Sequence, residues 1–185
     1  MNSYVFTVPY CGLLKTLRSE VRSLGKDVPV VLCIGSDRLT GDCLGPLVGN
    51  FLIKEYNVPT FVYGTLARTV TALNLRDTVT FIQKAHPSKK LLVVDASLGS
   101  SKEVGQIRLT RGGICPGAAS GKELGRCGDL AITAVVNTLP DKSLATTKLG
   151  FVHDLAGVIA LNLAASLMTE QIPQADTLPL VSSVI

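Results

Sequence analysis

Val28-Pro29-Val30-Val31-Leu32-Cys33-Ile34-Gly35-Ser36-Asp37-Arg38-Leu39-Thr40-Gly41-Asp42-Cys43-Leu44-Gly45-Pro46-Leu47-Val48-Gly49 is the stretch that decides the fold. The apolar run Val28–Ile34 has no alternation of polar and apolar positions, which predicts a strand buried on both faces of a parallel sheet. It runs into a loop of small and charged residues, and that loop runs into a helix. Leu44, Leu47, Val48, Phe51 and Leu52 follow the i, i+3, i+4, i+7, i+8 pattern of one helix face. Pro46 suits the first turn of that helix. A strand that ends in a glycine-rich acidic loop before a helix is where open α/β sheets bind ligands.

The rest of the chain repeats the alternation. Leu13, Leu17, Val21 and Leu24 predict an N-terminal amphipathic helix over about 12–24. Strands are expected at Thr60–Tyr63, Leu91–Asp95, Gly105–Leu109 (short, at an edge) and Leu130–Val136. Ala72, Leu75, Val79 and Ile82 mark a further helix, with Thr69 or Thr71 as N-cap. Lys148–Thr169 predicts a long final helix. Together these give an α/β fold with a mostly parallel sheet and helices on both faces. Residues 1–171 read as one domain with its core in 28–170, and 172–185 as a C-terminal tail.

Composition narrows the function. With 46% hydrophobic and 17% charged residues the 185-residue chain is globular. A net charge of +4, scattered cations and 5% aromatics give no nucleic-acid signature. Cys11, Cys33, Cys43, Cys115 and Cys127 contain no CxxC pair, which fits a reducing cytoplasm and neither a zinc ribbon nor a thioredoxin motif. Cys33 reads as a small core hydrophobe. The N-terminus has no charged region before its short apolar run, and Pro9 interrupts that run, so no signal peptide is expected. The uncharged stretch Leu155–Thr169 is shorter than the roughly 20 residues of a membrane span, so it reads as a core helix.

Several chemistries fail at the loop. Asp42 stands where a phosphate-binding loop needs lysine, and no G-x-G-x-x-G follows a strand. Ser97 is not in a nucleophile elbow. Cys43 sits at a helix start that would favour a thiolate, but no histidine is near it in sequence. His86 reads as a surface loop residue, and His153 has no partner motif. Asp42 and Asp95 are the strongest pair, because both fall in loops at the carboxyl edge of the sheet. Two such acids can hold a divalent cation, or share a proton and activate water. Structural roles compete with these: a helix N-cap for Asp42 and a bond to loop amides for Asp95. Asp37 and Arg38 read as a local salt bridge, and Asp129 as a cap or turn residue. Lys122, in the glycine loop that starts at Pro116-Gly117, is either solvated or brought beside the two aspartates.

Gly35–Gly49 closely resembles the YyaC-type sporulation protein family of spore-forming bacteria. So do Val62-Tyr63-Gly64-Thr65, Asn74-Leu75, Val94-Asp95-Ala96-Ser97-Leu98-Gly99, Val104-Gly105, Pro116-Gly117 and Gly128-Asp129-Leu130 with Asn137. The resemblance spans residues 28–165. That family is similar to the spore germination protease and, more remotely, to the hydrogenase maturation endopeptidases. It thereby implies a three-layer α/β/α fold of the phosphorylase/hydrolase-like type. It also implies catalytic Asp42 and Asp95 with Lys122 in support, and a surrounding loop set of Gly35, Ser36, Asp37, Arg38, Thr40, Gly41, Thr65, Ser97, Pro116 and Gly117. Lys122 stands where the maturation endopeptidases have a metal-binding histidine, so neither a metal nor another cofactor is expected. The expected function is a cytoplasmic sporulation hydrolase, a peptidase acting on a peptide or protein. Its alternatives are a non-catalytic binding or assembly protein and a metal-dependent maturation-type endopeptidase. No nucleic-acid or membrane partner is expected, and homo-oligomerisation is left open.

Overall fold

The computed structural model describes residues 3–116, 125–138 and 144–168. Its centre is a six-stranded sheet made of β1 (Ser3–Phe6), β2 (Val30–Cys33), β3 (Val62–Tyr63), β4 (Leu91–Gly99), β5 (Ile107–Arg111) and β6 (Leu130–Thr138). The spatial order is β1-β5-β6-β4-β2-β3. Strands β3, β2, β4 and β6 are parallel, and β5 and β1 add an antiparallel flap beyond β6.

Among the described residues four α-helices cover the sheet: α1 (Leu13–Leu24), α2 (Leu44–Lys54), α3 (Leu75–Ala85) and α4 (Leu149–Met168). Side chains alternate across a strand, and the alternation sorts the two cores. Val31, Cys33, Leu92 and Val94 face α1, α2 and α4. Val30, Leu32, Leu91 and Val93 face the other way, onto Leu75 and Ile82 of α3. Helices, sheet and helix form the three α/β/α layers.

β2 is buried at every position, as its unbroken apolar run requires. α4 is long and apolar enough to cross a membrane by length and composition, with mean hydropathy 1.6. Half of that apolar window is buried in the fold, where α4 packs against α1 and α2 as a core helix.

The elements differ from the sequence expectation in instructive places. β1 was not predicted, because its side chains are largely exposed and carry no apolar period. It exists by pairing with β5, which moves β5 inward from the edge position expected for it. α3 starts at Leu75 and not at Ala72. Residues 71–74 form a turn in which the Thr71 amide donates to the Asn74 side-chain carbonyl at 2.8 Å. The expected tail, 172–185, lies outside the described residues.

Candidate functional site

The glycines of the opening motif position the site by packing. A Cβ on Gly45 would stand 2.0 Å from the Ile34 carbonyl oxygen, and one on Gly49 would stand 2.1 Å from that of Gly64. Any side chain at either position would push α2 off the ends of β2 and β3, because real Cβ contacts never come so close. Gly35 has φ +145° and would clash at 2.1 Å with the Asp42 carbonyl oxygen. The end of β2 and the 3-10 turn Thr40–Cys43 therefore touch, joined by the Ser36 amide donating to that carbonyl at 3.2 Å. Gly41 is wedged against Leu144 and Thr147. Thr147 Oγ1 in turn accepts from the Asn137 side chain at 3.1 Å.

Asp42 projects from this turn. It does not cap α2: the residue before the helix is Cys43, and no side-chain cap bond is made. Asp95 is the fifth residue of β4 and lies on the same side of the sheet as Leu91 and Val93, the α3 side. Both acids line one cleft of about 610 Å³ at the carboxyl edge of the sheet. Gly35, Ser36, Asp37, Arg38, Ser97 and Pro116 line it too.

The electrostatics of the pair are unequal. Burial pushes the Asp95 carboxyl up to about 8, with the charge of Asp42 adding to the effect and the Ala96 amide opposing it. Burial also raises Asp42 above its ordinary value, against the Ser36 amide. Asp95 therefore keeps its proton near neutral pH. The Ser97 hydroxyl is buried at the cleft wall without a hydrogen-bond partner among the described residues.

Other expected site residues fall elsewhere. Thr65 lies in a separate groove beside β3. Thr40 and Gly41 form the turn behind Asp42 and are not on the cleft wall. Gly117 and Lys122 lie outside the described residues. Among the described residues no ion pair joins Asp37 to Arg38. The Arg38 amide donates instead to Ser36 Oγ at 3.2 Å.

Cys43 is buried, and burial with the charges of Asp37 and Asp42 raises its thiol, so the helix start does not make it a thiolate. Asp129 clasps the amino edge of the sheet, accepting from the Leu91 amide at 2.9 Å and from Lys90 at 3.0 Å. His86 is more than a loop residue, since its Nε2 lies 2.9 Å from the Tyr63 hydroxyl. His153 packs edge-on against Phe51. Neither histidine lines the cleft. Among the described residues no three His, Cys, Asp or Glu side chains are grouped to hold a metal.

Sequence reasoning missed one wall of the cleft and one neighbour of Asp95. The segment Thr69–Leu73 forms one wall, and nothing in its composition marks it as such. Burial holds the Cys127 thiol at about 11, and the charge of the nearby Asp95 adds to the effect. The glycines around Cys127 were legible, but not the strand they would bring it to.

The fold and site define a three-layer α/β protein with a paired-carboxylate cleft at the sheet's carboxyl edge. Residues 7–162 match the family model described as "Protein of unknown function (DUF1256)", and the chain belongs to that family. It is 40% identical over 158 residues to the "Uncharacterized protein YyaC" of Bacillus subtilis (strain 168), covering 83% of this chain and 77% of that one.

Proposed function

We propose that this protein is a hydrolase, a peptidase, in which Asp42 and Asp95 activate water, and that it acts in the cytoplasm of a sporulating cell. The observation that carries the reading is the pair of acids in one cleft with unequal proton affinities. Such inequality is what assigns base and acid roles to two like groups. The resemblance to the germination protease, resting on Thr40–Pro46 and Asp95-Ala96, supports a peptide bond as the target.

The chemistry balances on these two side chains. Ionised Asp42 takes a proton from a water whose oxygen bonds to the substrate carbonyl carbon. Protonated Asp95 donates a hydrogen bond to the carbonyl oxygen as it gains negative charge. The proton on Asp42 then passes to the amide nitrogen as the C–N bond breaks.

A second reading, a non-catalytic binding protein, is favoured by the glycines. Gly35, Gly45 and Gly49 have packing reasons to be glycine without any reaction. Incubating the full chain with a proteome-derived peptide mixture and reading new termini by mass spectrometry separates the two. Cleavage that falls by about 100-fold or more in Asp42→Asn and in Asp95→Asn supports the peptidase. No cleavage by the wild type, or equal cleavage by the variants, leaves the binding protein. Cleavage that requires added nickel or zinc would move the reading to a metal-dependent endopeptidase.

A further inference from the structure

The cleft that holds Asp42 and Asp95 has a largely apolar wall. Ile34, Leu75, Leu98 and Leu144 supply its buried and half-buried parts. Two more leucines on it stand out into solvent, Leu73 at 84% exposure and Leu39 at 41%. They come from separate segments: Leu39 from the loop after β2, Leu73 from the turn before α3. One exposed leucine on a surface needs no explanation. Two on the lining of one concave site, continuous with other apolar side chains, are what a ligand pocket presents.

The turn around Leu73 is built to hold it there. The Leu73 amide donates to Thr71 Oγ1 at 3.3 Å, and the Asn74 side-chain amide donates to the Thr69 carbonyl at 3.1 Å. The Leu75 amide donates to the Thr71 carbonyl at 2.9 Å. With the Thr71–Asn74 bond already described, the backbone is tied on both sides of Leu73. Leu75, two residues on, enters the core with Ile82, while Leu73 stays on the cleft wall. The other ionisable groups among the described lining residues are Asp37 and Arg38. Adjacent and opposite in sign, they largely offset each other.

We propose that this wall selects the substrate: the cleft seats a large apolar side chain of a peptide against Leu39 and Leu73, beside the bond that Asp42 and Asp95 attack. The reaction rests on the peptidase reading; the seat adds the class of peptide taken. A cleft of about 610 Å³ holds such a side chain with its flanking backbone. Seating it removes both leucines from water, and that burial favours leucine or phenylalanine over serine at the position. Leu39 and Leu73 thus determine specificity and take no part in the proton transfers.

Matched peptides test the selection with the full chain. New termini from the proteome-derived mixture should carry a large apolar residue beside the scissile bond. Remaking a cleaved peptide with serine there should lower kcat/KM at least about tenfold with the wild type. With Leu73→Ala the same exchange should cost much less, because the wall it acts through is already truncated. Leu161→Ala, at an exposed leucine of α4 outside the cleft, should discriminate as the wild type does. A second readout needs no turnover. N-acetyl-leucine methylamide should shift the methyl NMR signals of Leu39 and Leu73 saturably and leave those of Leu161 unmoved, and N-acetyl-serine methylamide should shift none of them. If no peptide is cleaved, the peptidase reading fails and the methyl shifts alone decide whether the seat exists. Cleavage sites without the apolar residue, equal discrimination by Leu73→Ala, or methyl signals that do not distinguish the two amides would overturn the proposal.

Discussion

Asp95, at the end of the buried half of β4, lies within reach of the charge on Asp42, more than fifty positions earlier in the chain. Burial makes ionisation of both acids less favourable, and for Asp95 the charge of Asp42 adds to this. The deeper group, Asp95, keeps the proton. A carboxylic acid held neutral near pH 7 can donate a hydrogen bond, and its ionised neighbour can take a proton. Burial is the larger cause of that retention and the charge of Asp42 the smaller.

The retained proton has a consequence for stability. Asp95 in the folded chain titrates at about 8, whereas an unfolded aspartate titrates near ~3.9. Its contribution is therefore fully present below ~4 and is lost as pH rises through about 8, with a slope of up to ~1.4 kcal/mol per pH unit. Asp95→Asn, which carries no such proton, should unfold at a higher temperature than the wild type at pH 8. The gap should shrink towards pH 4.5. Thermal melts of both proteins across this range check it, and parallel curves would contradict it.

The glycines of α2 and α4 make a contrasting pair of expectations. Gly45→Ala meets the Ile34 carbonyl at 2.0 Å and should destabilise the fold by about 3 kcal/mol or more. Gly157→Ala, in the interior of α4 with nothing within 4 Å of its would-be Cβ, should stabilise by about 0.5–1 kcal/mol. Urea unfolding of the two variants reads both signs.

Sorting the thiols tests the packing around the cleft. Cys11 and Cys115 are exposed, whereas Cys33, Cys43 and Cys127 are buried and their thiols are raised by burial. At pH 8 an aromatic disulfide reagent should release two equivalents quickly, and all five only after unfolding. A fast third equivalent would mean that the packing over Cys33, Cys43 or Cys127 opens.

Much of this was readable from the residues. Val30–Cys33, Leu44–Lys54 and Leu149–Met168 carry strong periodic or continuous apolar signals, and the structure has those elements within a residue or two of the expected bounds. The meeting of Asp42 and Asp95 followed from one topological rule, that loops at the carboxyl edge of parallel strands converge. What was not legible depended on partners distant in sequence. β1 gains its place only from β5, and β4 continues past Asp95 to Gly99 only because β6 pairs with it that far. Thr65 shares a motif with the site but falls in the groove at the β3 edge, since residues adjacent in a motif need not face one cavity.

The coupled acid pair is tested most directly by carboxyl carbon-13 NMR titration of Asp95 in the wild type and in Asp42→Asn. The wild-type resonance should titrate at about pH 8, and removing the charge of Asp42 should move that midpoint downward while burial keeps it above the ordinary aspartate range. An Asp95 that titrates near ~4 in both proteins, as a free aspartate does, would contradict the account.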